Sequence, residues 1–244
     1  MTETSDVKPF GAVVLRRVKE AMRANVGPGL ILQAFVAAIV LGYFFLPPVR
    51  AVLETAAEWK GRYGYAYSAT GAVFFGGVLP LLLQRVTKEG RRRSFFAELR
   101  FAIPFWTCVG LLVDALYRFL GWLLGDDPTP SVVLTKVVLD QFVFSIPLVI
   151  VLMVLLEWKE LGYNLDATRR LLGRRWYVDR VLPVQIASWV VWLPAVAVIY
   201  SLKPTLQFPV QNLIQSFWAL ILFFMARRNA PAPESSAYRA ESAA

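Results

Sequence analysis

Two of the most apolar stretches of this chain carry pairs of opposite charge. Asp114 and Arg118 stand four residues apart in one stretch, and Lys136 and Asp140 stand four apart in the next. Residues four apart share a helix face, so each stretch can hold a carboxylate beside a cation. An ionisable side chain at the centre of a bilayer is unfavourable by about 2.5–3.5 kcal/mol, so each of these residues needs a partner or a function.

Amide side chains form a second pattern. Gln141 directly follows the second charge pair, and Gln207, Gln211 and Gln215 recur every four residues ahead of Trp218. Three amides on one helix face exceed the number that a single helix contact would satisfy. We therefore expect this face to line a hydrated space, and helix packing is the alternative use of such a stripe.

The residue types that most enzymes need are scarce. The chain has no histidine and a single cysteine, Cys108, so it offers no zinc site, thiolate–imidazole pair or intramolecular disulfide. Carboxylates are present, but no nucleophile–base pair can be named. We therefore expect no enzyme activity, no metal and no cofactor.

Membrane-spanning helices must position these side chains. The 244 residues are 57% hydrophobic and only 18% charged, which is too apolar for a water-soluble core of this size. A span needs about 20 apolar residues. We predict an all-α, polytopic transmembrane helix bundle of about six spans, at 27–48, 65–84, 101–124, 134–156, 181–202 and 206–226. The last two can also be read as one span followed by a re-entrant segment.

Polar segments flank the transmembrane domain, which covers 27–228. Residues 1–26 are basic and weakly amphipathic, which predicts an N-terminal segment at the membrane surface. Residues 229–244 are rich in alanine, proline and serine, which predicts a disordered tail.

Basic residues alternate between the loops. Six lie in each of the segments 85–100 and 159–180, and five lie in 8–23, whereas the predicted outer loops at 50–62 and 125–133 hold three and none. This alternation is a topology signal, and it places both termini on the cytoplasmic side. The basic residues behind the net charge of +9 are on this interpretation anchors beside the inner headgroups, so we expect no nucleic-acid partner.

The two charge pairs fall at similar depth. At about 1.5 Å per residue, Asp114 and Arg118 lie roughly 15 and 9 Å from the outer end of the third span. By the same measure, Lys136 and Asp140 lie roughly 3 and 9 Å from the outer end of the fourth span. The loop between the spans is short, so the helices should be neighbours. We expect one neutral cluster of four charges, which either serves solute passage or only fixes helix packing.

Small residues and prolines mark the helix contacts. Gly110 and Gly121 share the face of Asp114, and Ala72 with Gly76 forms a small-xxx-small pair that permits close helix approach. Prolines free backbone carbonyls within a span, so we expect kinks at Pro80, Pro147 and Pro194.

Several short motifs occur in an order that resembles one family of small membrane proteins. KVVLDQFVFSIP is similar to Lys-x-x-x-Asp-Gln followed by proline, SWVVWLPAV to Asn-Trp-x-x-Trp-x-Pro, and GLLVDALY to Gly-Pro-x-x-His-x-x-Tyr. The family is that of peroxisomal membrane protein two and the mitochondrial inner-membrane Mpv-type protein, and the resemblance covers roughly residues 65–228. Besides Lys136, Asp140 and Gln141, the matching positions are Gly110, Tyr117, Pro147, Trp189, Trp192, Pro194 and Trp218.

The chain also departs from this family. Leu111, Asp114 and Ser188 stand where the motifs have proline, histidine and asparagine. The resemblance implies a core of four to five helices, to which the first span is an addition. It also implies a channel or a regulator of solute passage. The membrane would be cytoplasmic in a bacterium, and mitochondrial inner or peroxisomal in a eukaryote.

We therefore hypothesise an integral membrane pore or channel for small hydrophilic solutes. Its partners would be the lipid bilayer and those solutes, and a homo-oligomer is compatible with the sequence. The alternative is a non-transporting scaffold or homeostasis protein whose intramembrane charges are structural. A secondary transporter is disfavoured because the two halves of the chain show no repeat.

Overall fold

The computed structural model describes residues 10–85 and 94–228, and within those ranges the chain forms eight helices and no strand. This confirms the predicted all-α fold. The first nine residues, the basic stretch at 91–93 and the tail at 229–244 lie outside the described residues. The helices are α1 (Phe10–Phe45), α2 (Pro47–Tyr63), α3 (Tyr65–Gln84), α4 (Phe95–Leu124), α5 (Pro130–Glu160), α6 (Leu165–Leu171), α7 (Arg174–Tyr200) and α8 (Pro204–Arg228).

Five of these helices, α1, α3, α4, α5 and α7, are long and apolar enough to cross a membrane. They coincide with the first five predicted spans, so the helices fit an integral membrane protein. α1 continues through Pro28 without a break and so joins part of the basic N-terminal segment to the first span. α8 occupies the sixth predicted position as one helix of 25 residues, about 37 Å long. This length suffices to cross a membrane, and the crossing of α8 stays a prediction.

α2 covers 50–62, the segment between the first two predicted spans, which was predicted to be an outer loop; the segment is helical, so the prediction of a loop is wrong. Two prolines open this 17-residue helix, because the first helical positions need no N–H donor. The helix ends at Tyr63, and its C-cap is Gly64, whose φ of +54° is one that glycine tolerates. Leu53 and Lys60 are buried, so α2 has an inward face despite its charges.

The core forms where α7 and α8 meet α1. Leu32 of α1 is buried in one cluster with Val191 and Ile199 of α7 and Ile214 of α8. Gln33 Nε2 adds a hydrogen bond to the backbone oxygen of Val191, at 2.8 Å. Lipid is as apolar as these side chains, so close van der Waals packing and such hydrogen bonds are what favour helix contact over lipid contact.

α3 and α4 approach closely through small residues, as the sequence predicted. A Cβ atom built on Gly110 would lie 2.6 Å from the Cβ of Ala72 and 2.7 Å from the backbone oxygen of Ser68. A Cβ atom on Gly76 would lie 2.4 Å from the indole of Trp106. The two glycines therefore set the spacing of these helices. Gly121 has a different role, because it makes room for a side chain of the following loop.

Three of the spanning helices contain a wide turn. The N–H groups of Leu79, Ser145 and Leu182 each donate to a carbonyl five residues earlier instead of four. A proline follows each wide turn, and the carbonyl four residues before that proline lies inside the turn. Proline has no N–H and its ring crowds that carbonyl, so the helix widens there. The turns are Val73–Val78 before Pro80, Leu139–Phe144 before Pro147, and Tyr177–Val181 before Pro183, whereas Pro194 lies in regular helix.

The predicted topology can be tested at the two ends of α4. Ser94 and Thr129 are exposed N-caps of α4 and α5, and α4 lies between them. In a Cys108→Ala background, single cysteines at these positions should react with an impermeant thiol reagent from opposite sides of a sealed membrane. Labelling of both cysteines from the same side would rule out a crossing by α4.

Candidate functional site

Asp114 is the centre of a buried cluster that joins three helices. Its Oδ2 accepts hydrogen bonds from Lys60 Nζ of α2 at 2.5 Å and from Ser68 Oγ of α3 at 2.8 Å. Its Oδ1 accepts from Arg118 Nε, one turn further along α4, at 3.1 Å. The predicted pairing of Asp114 with Arg118 is therefore confirmed. The sequence reading missed Lys60 and Ser68, which reach the same carboxylate from the other side.

Lys60 is 7% exposed and uses all of its donors within the cluster. Besides Asp114, its ammonium group donates to Ser68 Oγ at 2.7 Å and to the backbone oxygen of Gly64 at 3.2 Å. Lys60 belongs to α2, outside the five spanning helices. Burial lowers the pKa of its ammonium group because the charged form loses water, while the hydrogen bond and charge of Asp114 oppose that shift.

Lys136 and Asp140 do not form the predicted pair. Asp140 accepts hydrogen bonds from Tyr200 Oη at 2.6 Å and from Gln141 Nε2 at 2.9 Å. Lys136 Nζ lies 3.5 Å from Asp126 Oδ1, in the loop before α5, and 5.8 Å from the ring centre of Tyr200. The reason is the direction of helical side chains, which lean toward the N-terminus of their own helix. Lys136 therefore reaches away from Asp140 and toward the loop.

The single four-charge cluster expected from the sequence is thus two clusters. One is centred on Asp114 and the other on Asp140, and an edge-to-face contact of Tyr117 with Tyr200, at 5.2 Å between ring centres, lies between them. Tyr117, one of the motif positions, is buried. Both clusters lie in the halves of α4 and α5 that the predicted topology places outside.

A cleft of about 340 Å³ opens beside the Asp114 cluster. It lies where α2 and α4 end and α8 begins. Charged side chains of the Asp114 cluster contribute to its wall, together with Asp126 of the loop before α5 and the first glutamine of the predicted stripe. The residues that matter here are Lys60, Asp114, Arg118, Trp122, Asp126 and Gln207.

The glutamine stripe of α8 begins at this cleft and continues into the bundle. Gln207 donates from Nε2 to the backbone oxygen of Leu202 at 3.2 Å. Gln211 and Asn212 are 8% and 2% exposed, and Gln211 Oε1 and both amide atoms of Asn212 find no hydrogen-bond partner among the described residues. Gln215 is half-buried, and its Nε2 packs against the side of Gly76 where other residues carry a Cβ atom. The sequence reading missed Asn212 because it counted only positions spaced by four.

A second row of polar side chains runs between α5 and α7. Gln185 Nε2 donates to Ser145 Oγ at 3.4 Å, and the Oε1 atoms of Gln141 and Gln185 have no partner within the described part of the chain. Trp189 Nε1 donates to the backbone oxygen of Gln141 at 3.0 Å, inside the wide turn of α5. Trp189 thus satisfies a carbonyl in an irregular helical segment.

The remaining motif positions have packing roles. Trp192 and Trp218 are half-buried and pack against the hydrophobic core. Pro147 follows the wide turn of α5, and Pro194 lies within α7. None of these residues lines the cleft.

Comparison of the chain with family models, curated proteins and solved structures found no match. The family resemblance and the roles that it implies therefore stay predictions.

Proposed function

We propose that this membrane protein passes small hydrophilic solutes through its helix bundle, with the charged cleft as the outer entrance. The observation that carries the proposal is the run of polar atoms behind the cleft. Gln207 lines the cleft, and Gln211 and Asn212 follow one turn deeper with buried amide atoms that have no hydrogen-bond partner among the described residues. A buried polar group without a hydrogen bond is unfavourable, so the presence of these groups favours contact with water or solute.

The inner end of the proposed path lies where α3, α4 and α8 come together. The space beside Gly76 is filled by Trp106 and by Gln215 Nε2, which would lie 2.4 and 2.5 Å from a Cβ atom at that glycine. Such tight packing leaves no room for a solute. We therefore assign this contact as the closed point of the path, which opening would have to separate.

The alternative is a scaffold that transports nothing. The cluster at Asp114 supports it, because one carboxylate ties α2, α3 and α4 together, as a purely structural residue would. The two functions differ in what the amides of α8 do. In a scaffold these amides affect only assembly, whereas in a pore they affect passage.

We expect the double substitution Gln211→Leu with Asn212→Leu to reduce solute efflux from liposomes to the rate of protein-free liposomes. Apolar side chains would remove water from the path, and hydrophobic narrowing itself blocks passage. Leucine favours both helix and lipid, so the fold should survive. The measurement is efflux of a graded set of small neutral and charged solutes, after equal insertion of both proteins has been confirmed.

Asn25→Leu is the matched control for this experiment. It also exchanges an amide for leucine, but Asn25 lies in α1, and its side-chain hydrogen bond within the described residues is to the Ala21 oxygen of the same helix. Efflux should be unchanged in this variant. Native protein that passes no solute would favour the scaffold, and efflux that survives the double substitution would move the path away from α8.

A further inference from the structure

We infer that Arg118 forms a binding site in the cleft for a small oxyanion, a carboxylate or a phosphate. The inference deepens the proposed function and rests on it, because the site would be a substrate site only in a protein that passes solutes. The site combines a fixed guanidinium group, a local excess of positive charge and a cleft of suitable size.

The guanidinium group of Arg118 is held in place on one side only. Nε donates to Asp114, and the group lies over the ring of Tyr65, 4.5 Å from its centre. The terminal atoms Nη1 and Nη2 donate to no residue in the described ranges, and half of the side-chain surface is exposed. Arg118 therefore presents an oriented fork of N–H groups at the cleft wall, and this fork matches the two oxygens of a carboxylate or phosphate.

The charges around the fork favour an anion. Lys60 and Arg118 carry two positive charges against the single negative charge of Asp114, which leaves one positive charge in this cluster. At the rim, Asp126 is paired with Lys136, so that pair adds no net charge. Both oxygens of Asp114 already accept hydrogen bonds, so the base of the cleft offers no free carboxylate to a cation.

The size of the cleft restricts the ligand to small molecules. Its volume of about 340 Å³ lies at the lower end of the range for small-molecule sites. The oxyanion can come from a solute in water or from the phosphate of a lipid headgroup, because the cleft is at the end of the bundle. The two sources offer the same chemistry to Arg118 and can be separated by experiment.

The test is calorimetric titration of the purified full chain in detergent with sodium acetate, inorganic phosphate or sodium chloride. In a fourth titration the protein receives phosphatidylglycerol in mixed micelles. Acetate or phosphate should bind saturably, and more tightly than chloride, which cannot use the fork. Arg118→Gln should weaken this binding by at least about tenfold, the effect of losing a charge-assisted hydrogen bond. Arg118→Lys should also weaken it, because the charge stays but the fork is lost.

Arg62→Gln is the matched control. Arg62 is an exposed residue of α2 that does not line the cleft, so this variant loses the same charge and should bind like the native protein. Arg118→Gln should remain folded, because Asp114 keeps its bonds to Lys60 and Ser68. Monodisperse elution of each variant would verify this.

The outcomes separate the site from the pore. Binding of phosphatidylglycerol alone, lost in Arg118→Gln, would support the oxyanion site and identify a lipid as its source. Folded native protein that binds neither acetate, phosphate nor phosphatidylglycerol, or that binds equally well after Arg118→Gln, would overturn the site. Binding without any efflux from liposomes would remove the pore and leave the site, and efflux without binding would do the reverse.

Discussion

Replacing Asp114 with leucine should lower the free energy of unfolding by about 3 kcal/mol, the lower end of the range for breaking a buried ion pair. Asp114 is 2% exposed and is the shared partner of two cations. Its loss leaves the buried ammonium group of Lys60 beside Arg118 without a counter-charge. Polar contacts between membrane helices average only about 0.6 kcal/mol, and the expected effect is larger because two like charges are left uncompensated.

A double-mutant cycle with Lys60→Met separates this effect from the loss of packing. Lys60→Met alone should be milder than Asp114→Leu, because Asp114 keeps Arg118 and Ser68. The double variant should be more stable than Asp114→Leu alone. The measurement is reversible unfolding in detergent. Strictly additive losses would contradict the contact between Lys60 and Asp114.

Asp179→Leu is a control for removing a carboxylate that is less buried. Asp179 pairs with Arg17 and Arg175 and retains about a third of its side-chain exposure. Ion pairs in contact with solvent contribute about 0–1 kcal/mol, so this variant should stay close to the native stability. A loss as large as that of Asp114→Leu would mean that burial is not the cause.

Gly110→Ala should destabilise the protein by about 1–3 kcal/mol, as overpacking of a tight contact does. The added Cβ would lie 2.6 Å from the Cβ of Ala72 and 2.7 Å from the backbone oxygen of Ser68. Neither atom can turn aside as the end of a long side chain would, so α3 must move away from α4. That movement also strains the hydrogen bond of Ser68 to Asp114.

Gly61→Ala is the matched substitution with the opposite sign. Gly61 is an exposed residue in the last turn of α2, and a Cβ atom there would meet nothing within 4 Å. Alanine favours helix over glycine by roughly 0.5–1 kcal/mol, so this variant should be as stable as the native protein or more so. Both variants can be followed by the same unfolding measurement in detergent. If they shift stability in the same direction, Gly110 does not set the helix spacing.

The long apolar helices could be predicted because composition and length alone identify them. The pairing of Asp114 with Arg118 could also be predicted, since an acid that precedes a base by four residues has the favourable order on a helix. Lys136 and Asp140 have the reverse order, and a lysine that leans toward its own N-terminus finds a loop partner instead. The spacing of four is the same in both pairs and did not distinguish them. The order of acid and base along the helix would have done so.

Lys60 was not predicted as a site residue, because 50–62 fell between two predicted spans and was taken as a loop. A signal was present, because Leu53, Ala57 and Lys60 recur at intervals of four and three and are the inward positions of α2.

Asn212 was not predicted as a site residue for a geometric reason. A stripe with a spacing of four drifts around a helix by about 40° at each step, so residues beside the stripe also face the interior.

The wide turns give each of three spans two independently oriented halves. One residue corresponds to about 100° of rotation in a helix, and a wide turn accommodates one residue more than a regular turn. In α5 the turn at Leu139–Phe144, which contains Asp140, lies between an outer half that carries Lys136 and an inner half that begins with an apolar run. The outer half can therefore turn Lys136 toward Asp126 and Tyr200 while the inner half turns Ser145 toward Gln185 of α7. The span is in this sense modular, and a residue change in one half need not alter the facing of the other.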